Sequence, residues 1–182
     1  MAGEKSERLY APDMAVGFYR GALGAAARVP GLAGEEARVR ARVGENQRLM
    51  GRLDEAAETY RAAMAAAERA GDERTLADSC VALGNILIHK PDYEGARSLS
   101  EKALGMFARL RDDAGTYSAM TNLGFIHYYK GEHAEALELY SRQLELAGRM
   151  GDRLREGKTL SDIGGIYWEK GEYGKAMENN LR

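Results

Sequence analysis

The sequence contains little cysteine and proline, no long apolar run, and no excess of either charge. The single cysteine among 182 residues, Cys80, cannot form an internal disulfide, as expected of a protein from a reducing compartment. No apolar stretch is long enough to cross a bilayer, and the N-terminal segment lacks the apolar core of a signal peptide. Because 26 Lys and Arg stand against 28 Asp and Glu, no general charge attracts nucleic acid or anionic membranes. These absences predict a soluble, cytoplasmic protein that binds neither membranes nor nucleic acid.

The most informative feature that the sequence does contain is an internal repeat with a period of 40 residues. Glycine recurs in one register, at Gly44, Gly84, Gly124 and Gly164. Alanine recurs in a second, at Ala56, Ala96, Ala136 and Ala176. Turn-forming residues occupy a third, at Gly51, Pro91, Gly131 and Gly171, and aspartates mark another turn at Asp72, Asp112 and Asp152. So many positions in one register predict a repeat protein.

Within each unit the apolar residues follow a helical period. Leu123 and Ile126 are spaced i, i+3, and after the turn Ala136, Leu137 and Tyr140 form a second stripe. Each unit is therefore predicted to be two antiparallel helices of about 17 residues. The recurrent glycine and alanine are expected to let the two helices approach closely where they cross.

The repeat predicts a single domain, 1–182, built of five units. These are a partial unit at 1–33, complete units at 34–73, 74–113 and 114–153, and a truncated unit at 154–182. In the first of them, Ala15, Tyr19 and Ala22 occupy the pattern of a second helix. Because the last unit lacks the polar capping helix of a solenoid, we expect a segment of a longer protein or pairing with another copy.

Two histidines have the composition of a metal site or an acid–base pair. His127 and His133 lie close in sequence to Glu132 and Glu135. The other units, however, place apolar, aromatic or amide residues at the two histidine positions, which favours a structural role for both. We therefore predict no catalytic, cofactor-binding or metal-binding residue, and we expect Cys80 to pack between helices as a small apolar group.

The segment NLGFIHYYKGEHAEALELY, residues 122–140, resembles the tetratricopeptide repeat. It has Leu-Gly in the first helix, Gly at the turn, and Ala followed by an aromatic residue in the second helix. The unit is longer than the usual one of about 34 residues and is similar to the repeats of kinesin light chains, spindle-orientation adaptors and large bacterial signalling regulators. The resemblance implies an all-α fold, a right-handed solenoid of antiparallel helix pairs. Its first helices would line a concave groove that binds peptides or helices of other proteins.

The resemblance also implies which residues line that groove. These are Arg38, Glu45, Arg48, Asp78, Asn85, Ile88, Thr121, Phe125, Tyr128, Lys158, Ser161 and Trp168. Phe125, Tyr128 and Trp168 are expected to form an aromatic patch for an apolar anchor, because aromatic residues are enriched at binding hot spots. The three basic residues are expected to meet acidic groups of a partner.

The sequence thus predicts a non-enzymatic module that captures a peptide or helix of a partner protein, within a larger regulatory or scaffold protein. Three alternatives stay open. The exposed terminal units could stack on another copy, so that self-assembly is the main role. The histidines and glutamates could bind a metal in an enzyme. The groove could also serve as a sensor for a peptide or a small ligand.

Overall fold

The computed structural model describes residues 14, 16, 17, 19 and 32–181 of the chain, and the regular structure in this part is helical. Within 32–181 the helices are α1 (Ala33–Leu49), α2 (Leu53–Ala70), α3 (Glu73–His89), α4 (Tyr93–Leu110), α5 (Asp113–Tyr129), α6 (His133–Met150), α7 (Arg153–Glu169) and α8 (Tyr173–Asn180). The predicted all-α fold is confirmed. Ala15 and Ala22 of the predicted first unit lie outside the described residues, whereas Tyr19 is helical and buried.

Helix lengths follow the predicted repeat. The first helix of each complete or truncated unit has 17 residues and the second has 18, except for α8 with 8. The chain divides into two compact units, Met1–Lys90 with α1 to α3 and Pro91–Arg182 with α4 to α8. We call these the N-terminal and C-terminal units; the single domain expected from the sequence stays a prediction. Among the described helices, none is long and apolar enough to cross a membrane.

The recurrent aspartates are helix caps. Asp72, Asp112 and Asp152 immediately precede α3, α5 and α7, and each side chain accepts a hydrogen bond from the backbone N–H three residues later. The N···O distances are 3.1, 2.9 and 3.0 Å. Such a cap satisfies one of the backbone donors that every helix start leaves unpaired. The sequence marked these positions as turns, and the structure shows that the aspartates also start the first helices.

The turn between the two helices of a unit depends on a left-handed residue. Gly51, Gly131 and Gly171 each have φ of +74°, a conformation that glycine adopts without a steric penalty. In the turn that follows α5, the Glu132 N–H donates to the His127 carbonyl at 2.9 Å, which closes the end of the helix. The predicted turns at these three positions are confirmed.

The two helices of a unit meet where a side chain of the second helix covers a glycine of the first. A Cβ added at Gly124 would lie 2.3 Å from a ring carbon of Tyr140, and one at Gly44 would lie 3.0 Å from the ring of Tyr60. At Gly164 the added Cβ would lie 2.8 Å from Asn180 Oδ1 and 3.3 Å from the Ala176 carbonyl oxygen. Close backbone approach therefore occurs at Gly164, whereas a tyrosine ring fills the space at the other two glycines.

The core continues from one helix pair to the next within the C-terminal unit. Ala136 and Tyr140 of α6 form one buried cluster with Ile163 and Ile166 of α7. In the N-terminal unit, Cys80 is fully buried and unbridged, as predicted for a small apolar group.

Gly124→Ala should destabilise the protein. Its new methyl group would overlap the ring of Tyr140, which is only 1% exposed and cannot move aside. Overpacking of this kind costs about 1–3 kcal/mol, and the better helix propensity of alanine returns about 1 kcal/mol. We expect the free energy of unfolding, measured by urea denaturation, to lie about 1–3 kcal/mol below that of Gly157→Ala, which gains the same helix propensity without the overlap. Gly157→Ala is the matched control because Gly157 is exposed in α7 with no atom near its Cβ position. A Gly124→Ala protein as stable as the control would contradict this packing.

Asp72→Ala should lower stability at neutral pH by about 1 kcal/mol, since the variant loses the cap of α3. Burial disfavours the charged carboxylate, but hydrogen bonds from Thr75 and Arg38 outweigh burial and hold the pKa of Asp72 below its ordinary value. A carboxyl group with a depressed pKa stabilises the folded state above its unfolded pKa, and the effect is lost as pH falls through the folded pKa. The difference from the native protein should therefore stay constant from pH 7 to about pH 4 and shrink as the pH falls further. Asp72→Asn, which keeps an acceptor oxygen but loses the charge, should fall between the native protein and the alanine variant at pH 7; a deficit independent of pH in the alanine variant would refute the role of the charge.

Candidate functional site

The N-terminal unit contains a cavity of about 600 Å³ between its first helices, α1 and α3. Tyr19, Tyr60 and Ser79 contribute buried side chains to its wall. Four exposed charged side chains surround its mouth: the predicted groove residues Arg38 and Asp78, and with them Glu35 and Arg42. The 40-residue register brings α1 and α3 side by side, so that equivalent stripes of the two helices line one cavity.

A hydrogen-bonded cluster lies at one side of this cavity. Arg48 donates two hydrogen bonds to the Glu45 carboxylate, at 2.8 and 2.7 Å, and the Tyr60 hydroxyl donates to the same carboxylate at 3.1 Å. The hydrogen bond to Glu45 raises the pKa of Arg48 above its ordinary value. Burial, followed by the negative charge of Glu45, raises the pKa of Tyr60 as well. Glu45 and Arg48 thus neutralise each other and leave neither charge fully available to a partner.

The charges at the mouth of the cavity are more exposed. Arg38 bridges Glu35 at 2.9 Å and Asp72 at 3.2 Å, and Asp78 pairs with Arg74 at 3.1 Å. Exposed ion pairs of this kind are worth at most about 1 kcal/mol and exchange readily for other partners. Arg38 and Asp78 are therefore the predicted groove residues that a ligand in the cavity would meet first.

The remaining predicted residues of the N-terminal unit offer less surface. Asn85 is half-buried, and Ile88 is only 4% exposed. The side chain of Ile88 belongs to the packed interior, so it leaves almost no area for a ligand. The family resemblance implied Ile88 as a groove residue by its position in the repeat, and that position does not report how deeply a side chain is packed.

In the C-terminal unit, Phe125 and Tyr128 belong to a group of aromatic side chains at the end of α5. Both are half-buried, and both contact Tyr129, with ring centroids 6.4 Å and 5.3 Å away. The ring of Phe125 also meets Tyr140 edge-on at 6.5 Å, which anchors the group to the core. Tyr129 is 52% exposed and provides the most accessible ring of the group.

Trp168, the third aromatic residue predicted for the patch, lies at the end of α7. It is 66% exposed and packs edge-on against Tyr173 of α8, with ring centroids 4.9 Å apart. Glu169 connects the end of α7 with the end of α5. Its carboxylate accepts a hydrogen bond from the Tyr128 hydroxyl and lies 3.4 Å from His133 Nε2. The hydrogen bond to Glu169 raises the pKa of Tyr128 to about 12. The predicted patch therefore consists of two ring groups linked by one carboxylate.

The other predicted residues of the C-terminal unit differ in availability. Lys158 and Ser161 are exposed on α7. The Thr121 hydroxyl donates to the Tyr117 carbonyl at 3.0 Å and receives a hydrogen bond from Gln143, a fully buried side chain. Thr121 is thus tied into the interior network and has little capacity left for a ligand.

The histidines make separate contacts. His127 Nδ1 lies 2.6 Å from Glu132, and His133 pairs instead with Glu169. In the part of the chain that the structure describes, no three His, Cys, Asp or Glu side chains are grouped as metal ligands would be. The two histidines named as a potential metal or acid–base site are not brought to a common centre.

Sequence reasoning did not single out several residues that belong to these surfaces. Tyr129, Asp162, Glu169 and Tyr173 are the main ones in the C-terminal unit. For Tyr173 a signal existed, since the same register holds Tyr93 in an earlier unit. For the two carboxylates no pattern in the sequence distinguished them from the solvated charges elsewhere on the helices.

The family comparison agrees with the helical repeat. The family model described as Tetratricopeptide repeat matches residues 75–140 and 114–181, which together cover more than half of the chain. No curated protein is significantly similar to this chain.

Solved structures extend the likeness over nearly the whole chain. BtubC (BKLC) from P. vanneervenii is 22% identical with a TM-score of 0.84, over 97% of this chain and 73% of that one. A Rap protein complexed with Competence and Sporulation Factor is 17% identical with a TM-score of 0.81, over 97% and 49%. A STAND protein with a tetratricopeptide repeat sensor, from Pyrococcus horikoshii, is 14% identical with a TM-score of 0.81, over 97% and 27%.

The chain therefore spans about half of the Rap protein and about a quarter of the STAND protein. At these identities the likeness concerns the fold alone, and it agrees with the predicted pairs of antiparallel helices. Together with the family match, it confirms the predicted fold class. The chain belongs to the tetratricopeptide repeat family.

Proposed function

We propose that the chain is a protein-interaction module that binds an extended segment of a partner protein along its first helices. In the N-terminal unit the binding surface is the cavity between α1 and α3. Its buried wall would receive an apolar or polar side chain, and its charged mouth would hold the segment on either side. No catalytic step is assigned to any residue.

The observation that carries this proposal is the convergence of predicted groove residues on one cavity. The resemblance to the tetratricopeptide repeat implied Arg38, Glu45 and Asp78 as groove residues, and all three line the same space. The volume of about 600 Å³ lies in the range of sites that bind several side chains or a small molecule. The mixed charges at its mouth favour a segment that carries both signs.

The relatives supply further support. Repeats of this family serve in general as protein-interaction modules. One of the similar structures is a Rap protein complexed with Competence and Sporulation Factor, so this fold can bind such a factor in that protein.

A sensor of a small ligand is the second candidate. The cavity is large enough for one, and the similar protein from Pyrococcus horikoshii is described as carrying a tetratricopeptide repeat sensor. Native mass spectrometry of protein purified from source cells separates the two candidates. A stoichiometric small molecule, lost when Ser79 is replaced by Leu within the cavity, would favour the sensor.

The capture of partners should depend on the mouth of the cavity. The double variant Arg38→Ala, Asp78→Ala removes one charge of each sign from it, and we expect roughly tenfold lower recovery of a specific partner, since two charged contacts are lost. The measurement is affinity capture from source-cell lysate with quantitative mass spectrometry, followed by titration of the purified partner.

The matched control is Glu58→Ala, Arg61→Ala on α2, which also removes one exposed charge of each sign. Circular dichroism and thermal unfolding should show that both double variants are folded. If the two variants retain the partner equally well, the cavity is not its binding site and the proposed function loses its support.

A further inference from the structure

One face of α7 combines carboxylates, an open position and an aromatic ring. Asp162, Gly165 and Glu169 are spaced i, i+3, i+7 and therefore lie on the same side of the helix, with Trp168 beside them. We call this set the α7 face. A Cβ added at Gly165 would have no atom within 4 Å, so the space above the middle of the face is empty. A ligand side chain can therefore reach the backbone of α7 between the two carboxylates.

Glu169, at one end of the face, has no cationic Lys or Arg partner among the described residues. Among these residues, Glu169 contacts the Tyr128 hydroxyl and the His133 imidazole, and its side chain is 46% exposed. The phenol supplies a hydrogen bond without a charge. The negative charge of Glu169 is thus held in place by neighbours but is not neutralised by an ammonium or guanidinium group.

Asp162, at the other end of the α7 face, also lacks an ion pair with Lys or Arg among the described residues. Within the described part of the chain it has neither a hydrogen bond nor an ion pair closer than 4 Å. Burial raises the pKa of Asp162 to about 6, and the positive charge of Lys158 one turn earlier only partly opposes this effect. A half-buried carboxylate of this kind gains stability when a cation or a hydrogen-bond donor approaches it.

Apart from Lys158, the nearby lysines pair with carboxylates other than Asp162 and Glu169. Lys130 pairs with Glu132 at 3.3 Å, and both Lys170 and Lys175 pair with Glu172, at 3.0 and 2.6 Å. These cations are therefore already used at the neighbouring turns. With Lys158 counted against Asp162 and Glu169, the α7 face keeps an excess of one negative charge within two helical turns.

The aromatic rings beside the carboxylates suit the same kind of ligand. Trp168 is 66% exposed and is held by Tyr173, so one face of its indole is available at a fixed position. The indole ring attracts Lys and Arg side chains more strongly than other aromatic rings do. A carboxylate next to an exposed indole is a combination that selects a cation over a neutral or an acidic group.

We propose that the α7 face binds a basic segment of a partner protein, with one Arg or Lys at Glu169 and Trp168 and a second at Asp162. This proposal rests on the proposed function, because it assigns the chemistry of the segment that the C-terminal unit would hold. Asp162 and Glu169 are about 10 Å apart along the helix axis. In a polyproline II segment, side chains three residues apart share one side at a spacing of about 9 Å, which matches that separation.

The spacing also argues for a peptide over a single ion. A metal ion needs its carboxylate ligands within about 2.6 Å of one centre, which two carboxylates separated by nearly two helical turns cannot provide. A partner segment can present two cations to two separate carboxylates. The α7 face therefore suits a protein segment with basic residues at positions i and i+3.

The test uses the peptide Ac-Gly-Arg-Pro-Pro-Arg-Gly-NH2 and the fluorescence of Trp168, the single tryptophan of the chain. Binding should change the emission in a saturable manner and weaken as salt increases, since ion pairs are screened. The same peptide with both arginines replaced by neutral citrulline should bind at least about tenfold more weakly. The isomer with adjacent arginines, Ac-Gly-Arg-Arg-Pro-Pro-Gly-NH2, should bind about threefold more weakly, because it cannot reach both carboxylates.

Variants assign the binding to named carboxylates. Glu169→Gln and Asp162→Asn keep the shape and hydrogen-bonding capacity of the side chains, and each should lower the affinity about threefold and the double variant about tenfold. Glu145→Gln, an exposed position on α6, removes the same charge and should leave the affinity unchanged. Isothermal titration of the same variants provides a readout that does not depend on the tryptophan.

Several outcomes would overturn the proposal. Equal binding of the citrulline peptide, full affinity in the double variant, or absence of any peptide binding by the native protein would each do so. Spermine binding as tightly as the peptide would overturn the assignment to a protein segment. None of these results tests the cavity in the N-terminal unit, which is tested by partner capture with the Arg38 and Asp78 variants. If partner capture does not depend on Arg38 and Asp78 but the peptide binds the α7 face, the cavity is excluded as a binding site and the α7 face is retained.

Discussion

The packing of a tyrosine ring over a glycine is the contact on which each helix pair of this type depends. Tyr140 on α6 covers Gly124 on α5, and Tyr60 on α2 covers Gly44 on α1. Glycine in a helix costs about 1 kcal/mol relative to alanine, so the burial of a whole aromatic ring must outweigh that loss. The ring fixes the distance and angle between the two helices, and it directs the opposite side of the first helix away from its partner. The surface that this leaves on α1, α3, α5 and α7 is where the candidate sites lie.

The architecture could be read from the sequence because it depends on residues that recur. The glycine, alanine, turn and aspartate registers predicted the helix pairs, their lengths and three of the turns that the structure shows. Packing depth is different, because it depends on neighbours that the register does not specify. Ile88 and Trp168 occupy equivalent positions, yet one is 4% and the other 66% exposed. The family resemblance assigned both residues to the groove because they share one position of the repeat.

Charges were the least predictable part of the surfaces. Arg48 and Glu45 looked like two groups available to a partner, but they bind each other in the folded protein. No sequence pattern distinguished Glu169 from the other glutamates, but in the folded protein it contacts Tyr128 and His133. Whether a charge is neutralised within the chain depends on side-chain distances of a few ångströms. Helical periodicity positions a side chain on a face and does not resolve such distances.

The repeat itself explains why the surfaces can differ while the fold stays uniform. One core position holds alanine in four units, at Ala56, Ala96, Ala136 and Ala176, since a larger residue would separate the helices. The position at the centre of each first-helix face instead holds Glu45, Asn85, Phe125 and Gly165, four residues of unlike chemistry. Core packing restricts the first set and leaves the second free to vary. A ligand along the N-terminal unit would therefore meet an acidic group and an amide, whereas one along the C-terminal unit would meet an aromatic ring and an open glycine position. Recognition within each unit would depend on the order of side chains in the ligand rather than on one repeated contact.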